Sequence, residues 1–172
     1  MRAMAMVMTM ALAAGNAPTS VSFVLDAKGG VIVPVTVGAL RDLHFLVDTG
    51  STRSVVSEAV ARQLGLPPAA RTEVVTSVGA SLALVVALPS ICLATQCIDD
   101  ALAIVSAKEA LQIGSRQLDG ILGGDVLGHG DFTIDYTRRR FEWGGGADAR
   151  RSDDRLTSSV EDGRTIVTAP QR

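Results

Sequence analysis

The sequence predicts a mostly β fold of a single lobe, carrying one or two short helices. Three observations carry this expectation. The chain has 172 residues, just over one typical domain length. A hydrophobic content of 47% supplies a core, and with 20% charged residues the composition is that of a folding chain rather than a disordered one. From Ser20 onward, β-branched runs are interrupted at short intervals by glycine, proline and polar turns.

Residues 1–17 precede the strands. Arg2 is their one charge, a run of mostly Ala and Met with Val and Leu extends from Ala3 to Ala14, and Gly15-Asn16-Ala17 gives a small-x-small ending. A membrane-spanning helix needs about 20 apolar residues, so no stable span is expected. The segment matches a secretory signal peptide in outline, which puts the mature protein outside the cytoplasm, secreted or periplasmic. The alternative is a Met-rich start without fixed structure on a cytoplasmic protein.

Val21 to Leu25 is a short β-prone run, Lys28-Gly29-Gly30 reads as a turn, and Val31, Val33, Val35 and Val37 alternate with Ile32, Pro34 and Thr36. Pro34 lacks a ladder donor, so this strand is expected at an edge or bulged. Gly38 to Asp42 turns the chain into Leu43 to Val47, where Leu43, Phe45 and Val47 share one face. Ser57 is the expected N-cap of a helix from Glu58 to Leu64, with Gly65 as its left-handed stop and Pro67-Pro68 blocking continuation. Thr72 to Val78 and Leu82 to Leu88 read as a hairpin with its tip at Gly79-Ala80-Ser81. Ile91 to Leu93 and Ile98 to Val105 are further strands, and a weak helical stretch follows near Ala107 to Leu111. Ile121-Leu122-Gly123-Gly124, with Asp125 as N-cap, reads as a buried strand end turning into a short helix. Phe132 to Tyr136 and Arg140 to Trp143 close the lobe as a hairpin. The domain is thus residues 18–143. Residues 144–172 read as a flexible polar tail, with one further edge strand open at Thr165 to Thr168.

Composition excludes several function classes. Sixteen basic against eighteen acidic residues leave a formal charge of -2, and the aromatics are only Phe23, Phe45, Phe132, Tyr136, Phe141 and Trp143. Neither suits nucleic-acid binding. Cys92 and Cys97 are the only cysteines, and His44 and His129 the only histidines, at spacings no zinc site uses, so no metal is expected. Four residues between the cysteines suit a hairpin loop that sets them opposite each other, permitting a disulfide in an exported protein. Two small buried thiols are the alternative. The glycines around Gly123 lack the sequence of a nucleotide loop. Asp119, Asp125, Asp131 and Asp135 are spaced too widely for a calcium loop and read as turn or cap residues. A Ser/His/Asp hydrolase is possible by inventory, but His44 alternates within a strand and His129 lies between glycines, both read as surface or packing residues.

Asp48 differs from the other carboxylates. It ends an apolar strand and is followed by Thr49-Gly50-Ser51, which places an acid at the edge of the core. Gly50 permits close backbone approach, and the Thr49 and Ser51 hydroxyls can position neighbours. Taken alone, the tripeptide reads equally as an Asx-type turn.

Its context is more specific. Phe45-Leu46-Val47-Asp48-Thr49-Gly50-Ser51, a helix ending in Leu64-Gly65-Leu66, and, about seventy residues after the motif, Asp119-Gly120-Ile121-Leu122-Gly123-Gly124-Asp125-Val126-Leu127 together resemble the retropepsin-like aspartic proteases from Val31 to Trp143. The resemblance implies a single-lobed, closed β-barrel-like acid-protease fold. It implies that Asp48 is catalytic, that Ile121-Leu122-Gly123 packs beside it, and that a flap spans Val75 to Leu82 with Gly79 near its tip. This flap departs from many members in lacking an aromatic residue. Peptide hydrolysis by this route needs two close carboxylates sharing one proton, a base to activate water and an acid to protonate the carbonyl oxygen. Only one Asp-Thr-Gly is present, so the resemblance implies a homodimer in which two copies of Asp48 meet at a twofold axis. Thr49 would brace the two loops and Ser51 would reach the outer carboxylate oxygen. The pair would titrate together and give a bell-shaped pH profile on the acidic side. Peptide or protein segments are the implied substrates, with no cofactor, metal or covalent intermediate. The rival reading is a catalytically inactive module that binds peptides in the same cleft.

Overall fold

Period-two burial is visible from the first strand. In the computed structural model, which describes residues 19–76, 79–107, 111–143, 157–161 and 164–168, β1 (Thr19–Ser22) buries Thr19 and Val21 and exposes Ser22. β2 (Val24–Leu25) leads through the glycine turn to β3 (Val31–Val37), which exposes Pro34 alone, and β4 (Leu40–Val47) returns beside it. β5 (Val55–Ser57) enters α1 (Glu58–Gln63). This helix is capped as its sequence requires. Ser57 Oγ accepts from the Val60 N–H at 3.2 Å, and Gly65, at φ +62°, reverses the chain after it.

β6 (Pro68–Thr76) and β7 (Gly79–Ala87) make a long hairpin, and β8 (Ser90–Leu93) and β9 (Gln96–Asp99) a shorter one. β10 (Leu102–Ser106), the small pair β11 (Gln112–Ile113) and β12 (Arg116–Gln117), and β13 (Gly120–Leu122) follow. α2 (Gly124–Leu127), β14 (Phe132–Asp135) and β15 (Arg140–Trp143) complete the domain. Beyond it lie β16 (Thr157–Glu161) and β17 (Arg164–Thr168).

The main sheet runs β6-β7-β10-β5-β13-β4-β3-β8-β9, with β2 added on β3, and β1-β15-β14 form a second sheet. One hydrophobic cluster draws on both ends of the main path, Val86 of β7 and Ile91 and Leu93 of β8, together with Phe45, Leu122, Phe141 and Trp143. Strands so far apart in the pairing order can share a core only if the sheet curls round it, which gives the mostly β, barrel-like lobe expected. Trp143 also closes α2, its Nε1–H donating to the Leu127 carbonyl at 3.4 Å.

Several local expectations are corrected. Pro34 is not on an edge strand, since β3 lies between β4 and β8. The bulged alternative is the one found: Pro34 lies opposite His44 of β4, with a register shift just after it between Val35 and Val37, and on its other side it falls between Val31 and Ile32, which meet β2, and Thr36 and Val37, which meet β8. The expected strand Ile98 to Val105 is two strands, broken where Asp100 takes φ +54°. Gly79-Ala80-Ser81 lie within β7, opposite Thr76, Val75 and Val74 of β6, and are not the turn expected of them; residues 77 and 78 lie outside the described residues. The polar tail contains a paired hairpin, β16 with β17, and the strand anticipated at Thr165 to Thr168 pairs there instead of joining a sheet edge. Residues 1–17 and most of the helical stretch near Ala107 lie outside the described residues. No helix among the described residues is long and apolar enough to cross a membrane.

Candidate active site

Asp48 stands where β4 ends. Its N–H donates to the Leu122 carbonyl at 3.0 Å, because β13 runs parallel to β4 with Gly120, Ile121 and Leu122 opposite Phe45, Leu46 and Val47. β13 also pairs antiparallel with β5, Ile121 facing Val55. The second motif is therefore wedged between the strand that delivers Asp48 and the strand that leaves its loop. That crowding dictates two glycines. A Cβ at Gly120 would run into the Phe45 ring and the Val55 carbonyl oxygen, and one at Gly123 would stand 2.5 Å from the Arg53 carbonyl carbon.

The loop around Asp48 is held by its own backbone. Ser51 N–H donates to the Asp48 carbonyl at 3.2 Å, and Gly50 N–H donates to Asp48 Oδ1 at 2.9 Å. The carboxylate is thus oriented by an Asx-type turn, so the turn reading and the active-site reading of this tripeptide describe the same geometry. Gly124 N–H donates to the Ser51 carbonyl at 2.8 Å and fastens the loop to the start of α2. Ser51 does not reach the outer carboxylate oxygen as expected. Its Oγ donates to the Arg53 carbonyl at 2.7 Å, which commits its single proton to shaping the loop. Thr49 is exposed, and its hydroxyl has no hydrogen-bond partner among the described residues.

Beneath the loop lies a polar network that sequence reasoning missed. Ser54 is 1% exposed. Its Oγ donates to Asp125 Oδ1 at 2.7 Å and accepts from Gly123 N–H at 3.0 Å, while its N–H donates to Asp125 Oδ2 at 3.0 Å. Every buried group in this cluster is satisfied, so the loop and the second motif are locked together. Asp125 is not the N-cap it was expected to be. Gly123 holds that position, and Asp125, one residue into α2, turns its carboxylate to Ser54.

A cleft of about 800 Å³ opens beside the loop. Gly50 to Arg53 line one side, Ala70 to Val75 of β6 the other, with Val55 and Ile121 between them. Asp48 does not itself line this cleft in the single chain. The β6–β7 hairpin occupies the place expected of a flap, with Gly79 opening β7 at φ +134° opposite Thr76. β6 ends the pairing path, and no strand among the described residues pairs with its outer edge. Leu122 is fully buried in the core, whereas Ile121 is half-buried and reaches the cleft.

Other candidates sort themselves by their partners. Cys92 and Cys97 face each other across β8 and β9 and are joined, sulfur to sulfur, at 2.06 Å. Asp119 accepts from the His44 N–H at 2.8 Å, and its carboxylate lies 3.8 Å from His44 Nδ1. No serine hydroxyl is hydrogen-bonded to either histidine among the described residues, and the buried Ser54 hydroxyl is committed to Asp125, so the Ser/His/Asp reading is set aside. Asp135 accepts from the backbone N–H and the guanidinium of Arg138, which hold its carboxyl below the usual aspartate value.

The model of the aspartyl protease family matches residues 33–126, more than half of the chain, running from β3 into α2. The chain belongs to the aspartyl protease family. The matched stretch takes in both Asp48-Thr49-Gly50 and Ile121-Leu122-Gly123. Among solved structures, the chain is similar to a retropepsin-like aspartic protease from Rickettsia conorii, with a TM-score of 0.52 and 19% identity, over 74% of this chain and 89% of that one. It is also similar to the retroviral protease-like domain of Ddi1 from Leishmania major, at a TM-score of 0.44 and 19% identity, over 68% of this chain and 95% of that one. No curated protein matches the chain. This aspartyl protease family member is thus retropepsin-like in fold, with its two family motifs hydrogen-bonded to each other at Asp48.

Proposed function

We propose that the protein is an aspartic endopeptidase that hydrolyses peptide bonds through a water activated by Asp48 and its counterpart in a second copy of the chain. One observation carries this reading: Asp48 is held at the end of β4 against the Leu122 carbonyl, with its carboxylate oriented by Gly50 N–H, beside a cleft walled by the β6–β7 hairpin. One carboxylate acts as base toward water while its protonated partner donates to the substrate carbonyl oxygen, so a single Asp48 is half of the machinery. The exposed Thr49 and Gly50 leave that loop free to meet its twofold mate, and the edge of β6, which no strand among the described residues pairs with, is suited to an extended peptide. The Cys92–Cys97 bond favours an oxidising compartment, secreted or periplasmic, in keeping with the apolar start of the chain.

The deciding experiment is digestion of casein and a peptide library at several pH values by wild type and Asp48→Asn. The expected loss in the variant is at least about 100-fold, the lower range for removing an acid–base group. Equal cleavage by the two proteins would overturn the aspartic mechanism. Peptide binding without cleavage by the wild type would select the inactive binding module instead.

A further inference from the structure

The cleft carries an imbalance of charge that the hydrolytic step does not use. Its charged lining groups are Arg53, Arg71 and Glu73. All three are exposed, and none forms an ion pair among the described residues, where the salt bridges are His44 with Asp119 and Arg138 with Asp135. The remaining lining is small or aliphatic, with no aromatic side chain.

The two guanidiniums are placed by different means. Arg53 belongs to the active-site loop, where its carbonyl accepts from Ser51 Oγ and its backbone lies against Gly123. Arg71 projects from β6, the opposite wall, paired in register with Leu84 of β7. An extended peptide lying between loop and hairpin would pass both. A guanidinium with no ion-pair partner among the described residues is suited to recognise a carboxylate through parallel N–H···O bonds, and one Glu73 cannot neutralise two of them.

We propose that Arg53 and Arg71 set substrate preference, selecting peptide segments that carry an acidic side chain among aliphatic neighbours. This inference rests on the endopeptidase reading for its consequence in catalysis, but not for binding. It is therefore tested by both. Matched peptides carrying Glu or Gln at the same place, moved in turn along an aliphatic extended sequence, are offered to wild type for cleavage and to wild type and Asp48→Asn for binding by fluorescence polarisation. At the best position the Glu peptide is expected to be favoured by about tenfold, in kcat/KM for wild type and in Kd for Asp48→Asn, as for one charge-assisted hydrogen-bonded pair. The double variant Arg53→Gln with Arg71→Gln should lose the preference, and Arg53→Glu with Arg71→Glu should turn it toward Lys peptides. Cleavage with no Glu preference at any position would overturn this inference and leave the protease reading standing. Glu-selective binding without cleavage would uphold it and overturn the protease reading. Neither cleavage nor selective binding would overturn both.

Discussion

A carboxylate does useful chemistry only where its surroundings are fixed, and at Asp48 the fixing is done by small neighbours. Gly50 N–H holds Oδ1, the Leu122 carbonyl holds the backbone, and Ser54 with Asp125 locks the floor. Ser54→Ala is expected to cost about 2 kcal/mol, because it strands the buried Gly123 N–H and removes a donor from Asp125. Denaturant unfolding of the variant measures this, and a loss within error of zero would show that the network contributes nothing. Asp135 offers a second check. Its carboxyl is lowered chiefly by the Arg138 backbone N–H, then by the guanidinium. A lowered folded-state pKa adds stability above the unfolded value of about 3.9 that is lost as pH falls through the folded one. NMR titration should therefore place Asp135 below the free aspartate value, and Arg138→Ala should move it back upward. Asp48 itself was legible from sequence because its motif is local. The Ser54–Asp125 contact, spanning 71 positions, left no local pattern to read.

At the scale of elements, short-range signals in the sequence mark the caps of a helix, whereas strand pairings depend on residues far apart in the chain. Ser57 and Gly65 bound α1 as their side chain and φ preference dictate. Gly79 has the composition of a turn residue, yet it opens β7 opposite Thr76 and its neighbours continue the ladder. The expectation of one edge strand at Thr165 to Thr168 passes over Asp162-Gly163, a dipeptide that is a strong hairpin signal in sequence, and β17 pairs antiparallel with β16. The disulfide closes the β8–β9 hairpin, whose Thr95 N–H donates to Thr19 Oγ1 of β1 at 3.3 Å. Replacing Cys92 and Cys97 by Ser is expected to destabilise the fold by about 2 kcal/mol on the chain-entropy account of so short a loop. Comparing thermal unfolding of the pair variant with that of oxidised and reduced wild type checks the value, and identical melting in all three would refute it.

For the whole molecule, the proposed dyad makes activity a property of two chains. Specific activity should fall on dilution in step with the dimer fraction seen by analytical ultracentrifugation. Mixing wild type with an equal amount of Asp48→Asn and allowing exchange should leave only about one quarter of the pairs fully wild type. If activity simply halves relative to protein concentration, each chain is working alone and the dyad is wrong.

The chain itself determined the strand-rich class, the helix with its caps, and the Asp-Thr-Gly and Ile-Leu-Gly motifs, because each depends on residues close in sequence whose preferences agree. Only the tertiary structure decided that these motifs hydrogen-bond to each other, that Ser51 turns to Arg53, that Asp125 anchors Ser54, and that Arg53 and Arg71 face one cleft. The physical reason is the threading of β13 between β4 and β5, a long-range pairing that follows from burying Phe45 and Leu122 in one core and is written in no local stretch of sequence.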